Sequence, residues 1–424
     1  MLGALLNAFR VPDLRKKILF TLSIIALYRL GSYIPVPGVD AAALGAAFAA
    51  TQGDNPALLM LNLFSGNALS KFSVLSLGIM PYITASIIMQ LMQGVIPSLQ
   101  RMAREGERGQ RRITQITRYL CLVLGFINAI GYLFLFQNRY QLHLTGTSMP
   151  VLITSCVIVL TLVAGVGLIM WMGELITQRG VGNGMSLVIF SNIIAGFPNV
   201  IVQSWGQNIP LTVFIFIVVL AVIPGIVLVE RAQRRIPVNY AKRIQGRRVM
   251  GGQSTYIPLK VNGAGVIPII FASSILYFPA QLAAFFSDVG WLTAVSNALA
   301  SGPVNWALNF ALIVFFCFFY TSMVFNPETT GDNLRKQGGF IPGVRPGTAT
   351  VQYIKNILNR ITLPGGIYIA LIAVVPSILF IFTGDSLIQT FGGTSILIMV
   401  GVALDTMSKV ESQLKQHHYD GFFK

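Results

Sequence analysis

The stretch ALLMLNLFSGNALSKFSVLSLGIMPYITASIIMQLMQGVIP, residues 57–97, is apolar enough to span a bilayer but is interrupted where a simple span would be continuous. Its first part, residues 57–66, is too short for a membrane-crossing helix, which needs ~20 apolar residues. Asn67, Ser70 and Lys71 break the run, and residues 72–96 follow as a full-length span with Pro81 inside it. Such a break is tolerated at membrane depth where it is buried in protein or lines a wet cavity, and it is typical of a transport path. A kinked structural helix after a surface loop is the alternative.

The composition is that of an integral membrane protein. Of the 424 residues, 54% are hydrophobic and only 10% are charged, whereas soluble domains average about 25% charged residues. The apolar stretches are long and continuous, which favours helices over the alternating strands of an outer-membrane barrel. The class is therefore an all-α polytopic membrane protein.

Ten spans can be drawn, and the basic residues give them an orientation. The spans cover roughly residues 18–34, 72–96, 119–137, 150–173, 185–204, 210–229, 265–286, 304–325, 361–382 and 391–409. With the N-terminus in the cytoplasm, nearly all of the 30 lysines and arginines lie on the cytoplasmic side, Arg29, Lys71 and Arg139 excepted. The positive-inside rule then predicts that both termini are cytoplasmic.

A short motif repeats between the two halves of the chain. The sequence GIMPYITAS (78–86) recurs as GVIPIIFAS (265–273), with glycine, proline, isoleucine, alanine and serine at matching positions. Five spans per half is an odd number, so a duplicated second half is inserted upside down. The prediction is two inverted-topology five-helix halves, residues 1–206 and 207–424, with a functional site between them near the midplane.

The predicted spans contain almost no ionisable residues, and Asp405 near the end of span ten is the nearest exception. Ion-coupled transporters normally carry such residues at their sites, so an apolar constriction that holds back water and ions fits better. We find no carboxylate pair, Ser/His/Asp set or Cys/His set that indicates catalysis, and we predict neither a metal site nor a cofactor. Arg29 either snorkels to the surface or has a buried partner.

Two connections, residues 230–264 and 326–360, are long, basic and rich in turn-forming residues. Such loops suit the docking of an acidic partner, RNA included. A purely topological role is the alternative.

Several motifs together resemble one family. They are GSYIPVPGVD (31–40), NLFSG (62–66), GIMPYI (78–83), RGVGNG (179–184), RRIPVNYAKR (234–243), GRR (246–248), GVIP (265–268), FNP (325–327) and PGVRPG (342–347). The chain resembles, nearly end to end, the SecY family of bacterial protein-conducting channel subunits. The resemblance implies an hourglass hinged at the external loop near residues 205–209, with a short re-entrant plug helix at about 57–70.

The resemblance also assigns residues to roles, all of them expectations at this stage. The constriction would be formed by Ile79, Ile83, Met185, Ile189, Ile270 and Ile398, with Met185 standing where the family often has isoleucine. The plug would include Leu61, Asn62, Leu63, Phe64, Ser65, Gly66 and Asn67. A lateral gate between spans two and three and spans seven and eight would include Pro81, Ser86, Pro268 and Ser273. Partner docking would use Arg243, Arg247, Arg248 and Arg345.

The implied partners are the small membrane subunits SecE and SecG, the motor ATPase SecA, and the ribosome with its rRNA. Signal peptides, nascent polypeptides and membrane lipid complete the set, and the implied location is the bacterial inner membrane. The main alternative is a secondary transporter for a small neutral solute, since inverted repeats and broken helices allow it equally. An intramembrane enzyme acting on lipid is a more distant alternative.

Overall fold

A computed structural model describes residues 9, 11–40, 44–45, 62, 65–140, 151–205, 209–240, 243–245, 248–250, 254–285, 290–300, 302–383 and 393–420. The helices are α1 (Pro12–Gly31), α2 (Met80–Val95), α3 (Pro97–Arg104), α4 (Glu107–Tyr140), α5 (Val151–Arg179), α6 (Gly184–Trp205), α7 (Ile209–Arg231), α8 (Ile267–Phe285), α9 (Gly290–Ala300), α10 (Pro303–Val324), α11 (Pro327–Lys336), α12 (Thr348–Thr383) and α13 (Gly393–Asp420). The strands are β1 (Gln233–Tyr240), β2 (Arg243–Gln245), β3 (Arg248–Met250), β4 (Ser254–Lys260) and β5 (Gly339–Phe340).

Each of the ten predicted spans overlaps one of these helices. Among the described residues, five helical stretches are long and apolar enough to cross a membrane, and α2 with α3 forms a further pair bent by 103°. The protein is therefore a multi-pass membrane protein that is mostly helical. The exact number of ten crossings stays a prediction, as does the division into two inverted halves.

The second span begins later than the sequence predicted. Residues 72–79, expected to be helical, lie in turns, and α2 starts at Met80. Pro81 is therefore in the first turn of a helix rather than in the middle of one, where its missing N–H is no loss. Gly78 precedes the helix with φ of 58°, a conformation that favours glycine. The predicted mid-helix break is in fact a helix start.

The repeated motif has the same geometry in its second copy. Gly265 has φ of 62°, and Pro268 lies in the first turn of α8. The two copies thus each place a left-handed glycine three residues before a proline that opens a helix. The glycine and proline that both copies contain therefore account for the same turn before each helix.

The expectation of an all-α protein is wrong for the connection between α7 and α8. Strand β1 pairs antiparallel with β4 over seven residue pairs, from Gln233 with Lys260 to Asn239 with Ser254, and β5 adds to its other edge. Ile236 and Val238 are buried, with exposed neighbours between them. This alternation is the half-buried strand pattern, which a reading based on charge and turn residues overlooks.

Among the described residues, buried side chains form a central cluster and three peripheral ones, the smallest of which contains Leu14, Val181 and Val410. The central cluster draws on α1, α2, α5, α6, α7, α8, α10, α12 and α13. A second joins the segment before α2 to α4 and α5. A third lies under the sheet and joins β1 and β4 to α11 and the start of α12. The two long basic connections therefore share one small core.

Candidate functional site

The six residues predicted to form a constriction all lie in the central cluster. Ile79, Ile83, Met185, Ile189, Ile270 and Ile398 are all buried, and all belong to that one cluster. They come from four separate stretches: the start of α2, the start of α6, the first turn of α8 and α13. An apolar knot assembled from such distant parts of the chain excludes water from its centre. We call these six side chains the neck.

Met185 fits the neck because the residue facing it has no side chain. A Cβ added to Gly173 would lie 2.5 Å from the Met185 sulfur. Met185 is 8% exposed and the other five neck residues are 6% exposed or less. The long thioether therefore fills space that a glycine leaves open on α5, which suits the adaptable shape of methionine.

A polar cavity of about 630 Å³ adjoins the neck on the side of the β-sheet. Its wall includes Ser186, next to Met185, and Ile267, one turn before Ile270. Charged side chains complete the wall, among them Glu230, Arg231, Lys260, Asp405 and Lys409. The cavity wall is therefore partly charged, and it lies close in the chain to two neck residues.

The segment before α2 lies on the other side of the neck along α6. Ser186 lines the cavity, Ile189 belongs to the neck, and Asn192 bonds to an arginine that also holds Gly66. At a rise of 1.5 Å per residue, Ser186 and Asn192 are roughly 9 Å apart along the helix axis. The apolar barrier between cavity and segment is thus thin.

The predicted plug residues are described in part. Asn62, Ser65, Gly66 and Asn67 are described, whereas Leu61, Leu63 and Phe64 lie outside the described residues, so a plug helix stays a prediction. Residues 65–70, which we call the plug turn, are held by polar contacts to Asn62. The Asn67 N–H and the Ser65 hydroxyl donate to the Asn62 carbonyl at 2.8 and 2.9 Å. The Ser70 N–H donates to the Asn62 side-chain oxygen at 3.1 Å.

The segment that follows the plug turn is anchored to the outer ends of neighbouring helices. The Val36 N–H donates to the Phe72 carbonyl at 3.0 Å, and the Phe72 ring packs edge-on against Phe136 of α4 with centroids 4.8 Å apart. Phe72 has φ of 44°, a strained conformation for a bulky residue that persists only where the surroundings enforce it. The turn is therefore firmly seated at its C-terminal end.

The predicted gate residues lie on α2 and α8, two helices that contact each other. Pro81, Pro268 and Ser273 are buried, and Ser86 is half-buried. Helix α8 also contacts α4. The gate role itself is untested by these contacts.

Of the predicted docking residues, Arg345 has the most clearly defined setting. Gly343 and Gly347, with φ of 81° and 112°, form turns on either side of it. The Thr350 hydroxyl donates to the Arg345 carbonyl at 2.9 Å, and the Arg345 side chain is exposed. Arg243 and Arg248 lie on the hairpin strands β2 and β3. Arg247 lies outside the described residues.

Two charged side chains have partners that the sequence did not identify. Glu174 makes a two-pronged ion pair with Arg118 of α4, with Nε to Oε1 at 2.8 Å. Arg29 has a buried partner rather than a path to the surface, since its guanidinium donates to α6 and to Gly66. An arginine inside an apolar span was the only signal in the sequence, and it left the partner open.

No group of three or more His, Cys, Asp or Glu side chains that could hold a metal ion occurs in the part of the chain that the structure describes. The geometry defines a class: a multi-pass membrane protein whose predicted constriction residues are buried in one apolar cluster near a cavity with charged walls. The family model of SecY matches residues 73–407, which is most of the chain. The chain belongs to the SecY family.

Curated relatives match over the whole length. The protein translocase subunit SecY of Streptomyces coelicolor is 47% identical over 437 residues, and that of Mycobacterium tuberculosis strain H37Rv is 46% identical over 447 residues. Both matches cover 100% of this chain and 100% of the relative. These matches give no support to the alternative of a small-solute transporter.

Solved structures share the fold. A protein conducting channel superposes with a TM-score of 0.63 at 16% identity, covering 93% of this chain and 91% of that one. A SecY structure that concerns the plug domain and the closed state gives 0.63 at 17% identity, with the same coverage. Sec61 in the canine ribosome-channel complex gives 0.60 at 16% identity, covering 93% and 91%.

Proposed function

We propose that this SecY-family chain is the central subunit of a protein-conducting channel, in which the neck is the point that a translocating polypeptide passes. One observation supports the proposal: six apolar side chains from four stretches of the chain lie in one buried cluster, and residues close in sequence to two of them line a cavity with charged walls. An apolar neck excludes water and ions while it is empty. Polypeptides of many different sequences can pass the neck because isoleucine and methionine side chains make no specific hydrogen bonds with them.

Two kinds of substrate require two exits. A charged residue at the centre of a membrane helix costs ~2.5–3.5 kcal/mol on insertion scales, so a secreted polar chain needs the axial path through the neck. An apolar signal or transmembrane segment gains by leaving water for lipid, so it needs a lateral path. The seam where α8 meets α2 and α4 is the proposed lateral gate.

The remaining assignments complete the proposal. The ten helical segments form two inverted halves, residues 1–206 and 207–424, in the bacterial inner membrane with both termini cytoplasmic. The sheet and the Arg345 turn then face the cytoplasm, where SecA or the ribosome docks, the latter as in the canine ribosome-channel complex whose fold is shared. SecE and SecG are the proposed membrane partners. We assign the chain no catalytic role of its own.

Site-specific crosslinking tests the path. A photo-reactive amino acid replaces Ile83 or Ile270, and a secretory precursor is stalled during translocation into membrane vesicles. Leu160 of α5, which is 65% exposed on the outside of the helix bundle, provides the control position. Crosslinks from both neck positions and none from Leu160 are expected. Crosslinks from Leu160 and none from the two neck positions would contradict the axial path.

A further inference from the structure

Arg29 connects three parts of the protein through a single guanidinium group. Its Nε donates to the Ser191 hydroxyl at 3.0 Å, and its Nη2 donates to the Asn192 side-chain oxygen at 2.8 Å. Its Nη1 donates to the backbone carbonyl of Gly66 at 3.2 Å. One side chain of α1 thus joins two adjacent residues of α6 to the plug turn.

The three acceptors are placed to suit an arginine and no shorter cation. The guanidinium is planar and carries five donors in a fixed fork, so it reaches three acceptors that diverge around it. A lysine ammonium is a single point on a flexible stem, so it cannot present donors to all three acceptors in the same fixed fork. The site is therefore specific for the shape of the group as well as for its charge.

Gly66 is fitted to this arginine. It has φ of 67°, and a Cβ added there would lie 2.5 Å from Nη1 of Arg29 and 2.8 Å from the Asn192 side-chain oxygen. A side chain at position 66 would occupy the space that the guanidinium fills. The bonds from Asn62 to Asn67 and Ser70 hold the turn that presents the Gly66 carbonyl.

We propose that Arg29 is a latch that holds the plug turn in its seat against α1 and α6, and that it sets how readily this turn leaves the neck. All three acceptors are neutral, so the latch consists of hydrogen bonds from a charged donor. Hydrogen bonds of this kind are stronger than neutral ones, and they strengthen where water is scarce. The seat is also about one helical turn from Ile189 of the neck along α6.

The inference rests on the proposed role of residues 57–70 as a stopper, and the test separates the two. Resting ion leak is measured in planar bilayers for four proteins at matched levels: the unchanged chain, Arg29→Lys, a deletion of residues 57–70, and the deletion combined with Arg29→Lys. Loss of a hydrogen bond from a charged donor changes an equilibrium by about tenfold or more. Arg29→Lys is expected to raise the leak by about that factor, and to add nothing once residues 57–70 are gone.

Two further variants guard against a general effect on folding. Ser191→Ala removes one acceptor from α6 and leaves the arginine in place, so a smaller rise in leak is expected. Leu30→Ala alters the exposed residue next to Arg29 and is expected to leave the leak unchanged.

The contrary outcomes are distinct from one another. If the deletion raises the resting leak but Arg29→Lys and Ser191→Ala do not, the latch is wrong and the stopper assignment stands. A rise that persists in full when Arg29→Lys is combined with the deletion would also overturn the latch, because the arginine would then act on the neck itself. A deletion that does not leak would overturn the stopper assignment, and the latch with it.

Discussion

Arg345 is exposed at a turn whose backbone is fixed from both sides. The Val344 N–H donates to the Ile341 carbonyl at 3.1 Å, and Ile341 belongs to the small core beneath the sheet. On the other side, the Thr350 hydroxyl holds the Arg345 carbonyl. The direction in which this guanidinium leaves the protein is therefore set by packing, whereas a diffuse topological charge needs no such support.

Arg345→Glu is expected to insert normally but to lose SecA-driven export. An arginine anchor at an interface costs ~2 kcal/mol or more when it is lost, which is about thirtyfold in affinity at ~1.4 kcal/mol per tenfold. The measurement is ATP-dependent export of a secretory precursor into inverted vesicles. Lys336→Glu, an exposed charge at the end of α11, is the matched control and should change little. Equal export by the two variants would show that Arg345 acts only as one of several positive charges on the same side of the membrane.

At the scale of single residues, the sequence predicted the apolar sites better than the polar ones. The neck residues follow from motifs whose positions the family shares, and all six are buried in one cluster, while their role as a constriction stays a prediction. The partners of Arg29 lie 162 and 163 positions away along the chain, and no periodicity connects them. Local patterns report which face of an element is apolar, whereas a single buried contact depends on how distant elements meet.

Helix α5 approaches the backbone of the segment before α2 so closely that a glycine is required. A Cβ added to Gly165 would lie 1.9 Å from the Val74 carbonyl oxygen, whereas one added to Gly167 would lie no closer than 3.8 Å to Leu122. Backbone cannot move aside as a flexible side chain can. This contact seats the residues that lead from the plug turn to α2.

Gly165→Ala is therefore expected to destabilise the protein by ~1–3 kcal/mol, the usual cost of overpacking. Gly167→Ala is expected to be neutral or to stabilise by up to ~1 kcal/mol, because alanine is the better helix former. The measurement is the thermal unfolding midpoint of each purified variant in detergent. If both variants unfold together with the unchanged protein, the close approach of Val74 to α5 is wrong.

Removal of residues 57–70 tests the plug as an element. If the segment merely covers a surface, its deletion destabilises the protein without opening a path. If it stops the channel, the deletion relaxes the requirement for a good signal sequence while the helices still insert. Export of a precursor with a defective signal is the assay, and a rise of roughly tenfold is expected, in line with the loss of one or more strong hydrogen bonds. Export that stays at the level of the unchanged protein would count against the plug.

Element positions were easier to predict from the sequence than element ends. Hydropathy locates the helices because burial in lipid depends on apolar length. The start of α2 depends instead on the turns at Gly78 and Phe72, which are held by contacts to residues 34–36 and to α4. The sheet between α7 and α8 was missed for a related reason, since its strands are stabilised by a core shared with α11 and α12.

At the scale of the whole molecule, the neck is where the two proposed halves of the chain meet. Ile83 and Met185 come from the first half, and Ile270 and Ile398 from the second. Any relative movement of the halves therefore changes the packing of the neck. If the two halves move as proposed, α8 separates from α2 and α4 at the proposed gate, so we expect the neck and the seam to open together.

Replacing Ile83 and Ile270 together with serine tests whether this knot is the barrier to ions. Each side chain contributes to the apolar wall from the opposite half, so the double change opens a polar stripe across the neck. A constriction that excludes water by its apolar lining wets when that lining becomes polar, and resting conductance in planar bilayers is expected to rise at least roughly tenfold. Cutting a buried isoleucine to alanine size costs ~2–5 kcal/mol, so the conductance is compared at matched amounts of inserted protein.

The control combines Ile158→Ser and Leu162→Ser on α5. Both residues are buried in the second cluster, outside the neck, so the control loses a comparable amount of packing. A rise in the neck variant alone assigns the barrier to these side chains, whereas an unchanged leak would show that ions are held back elsewhere along the path.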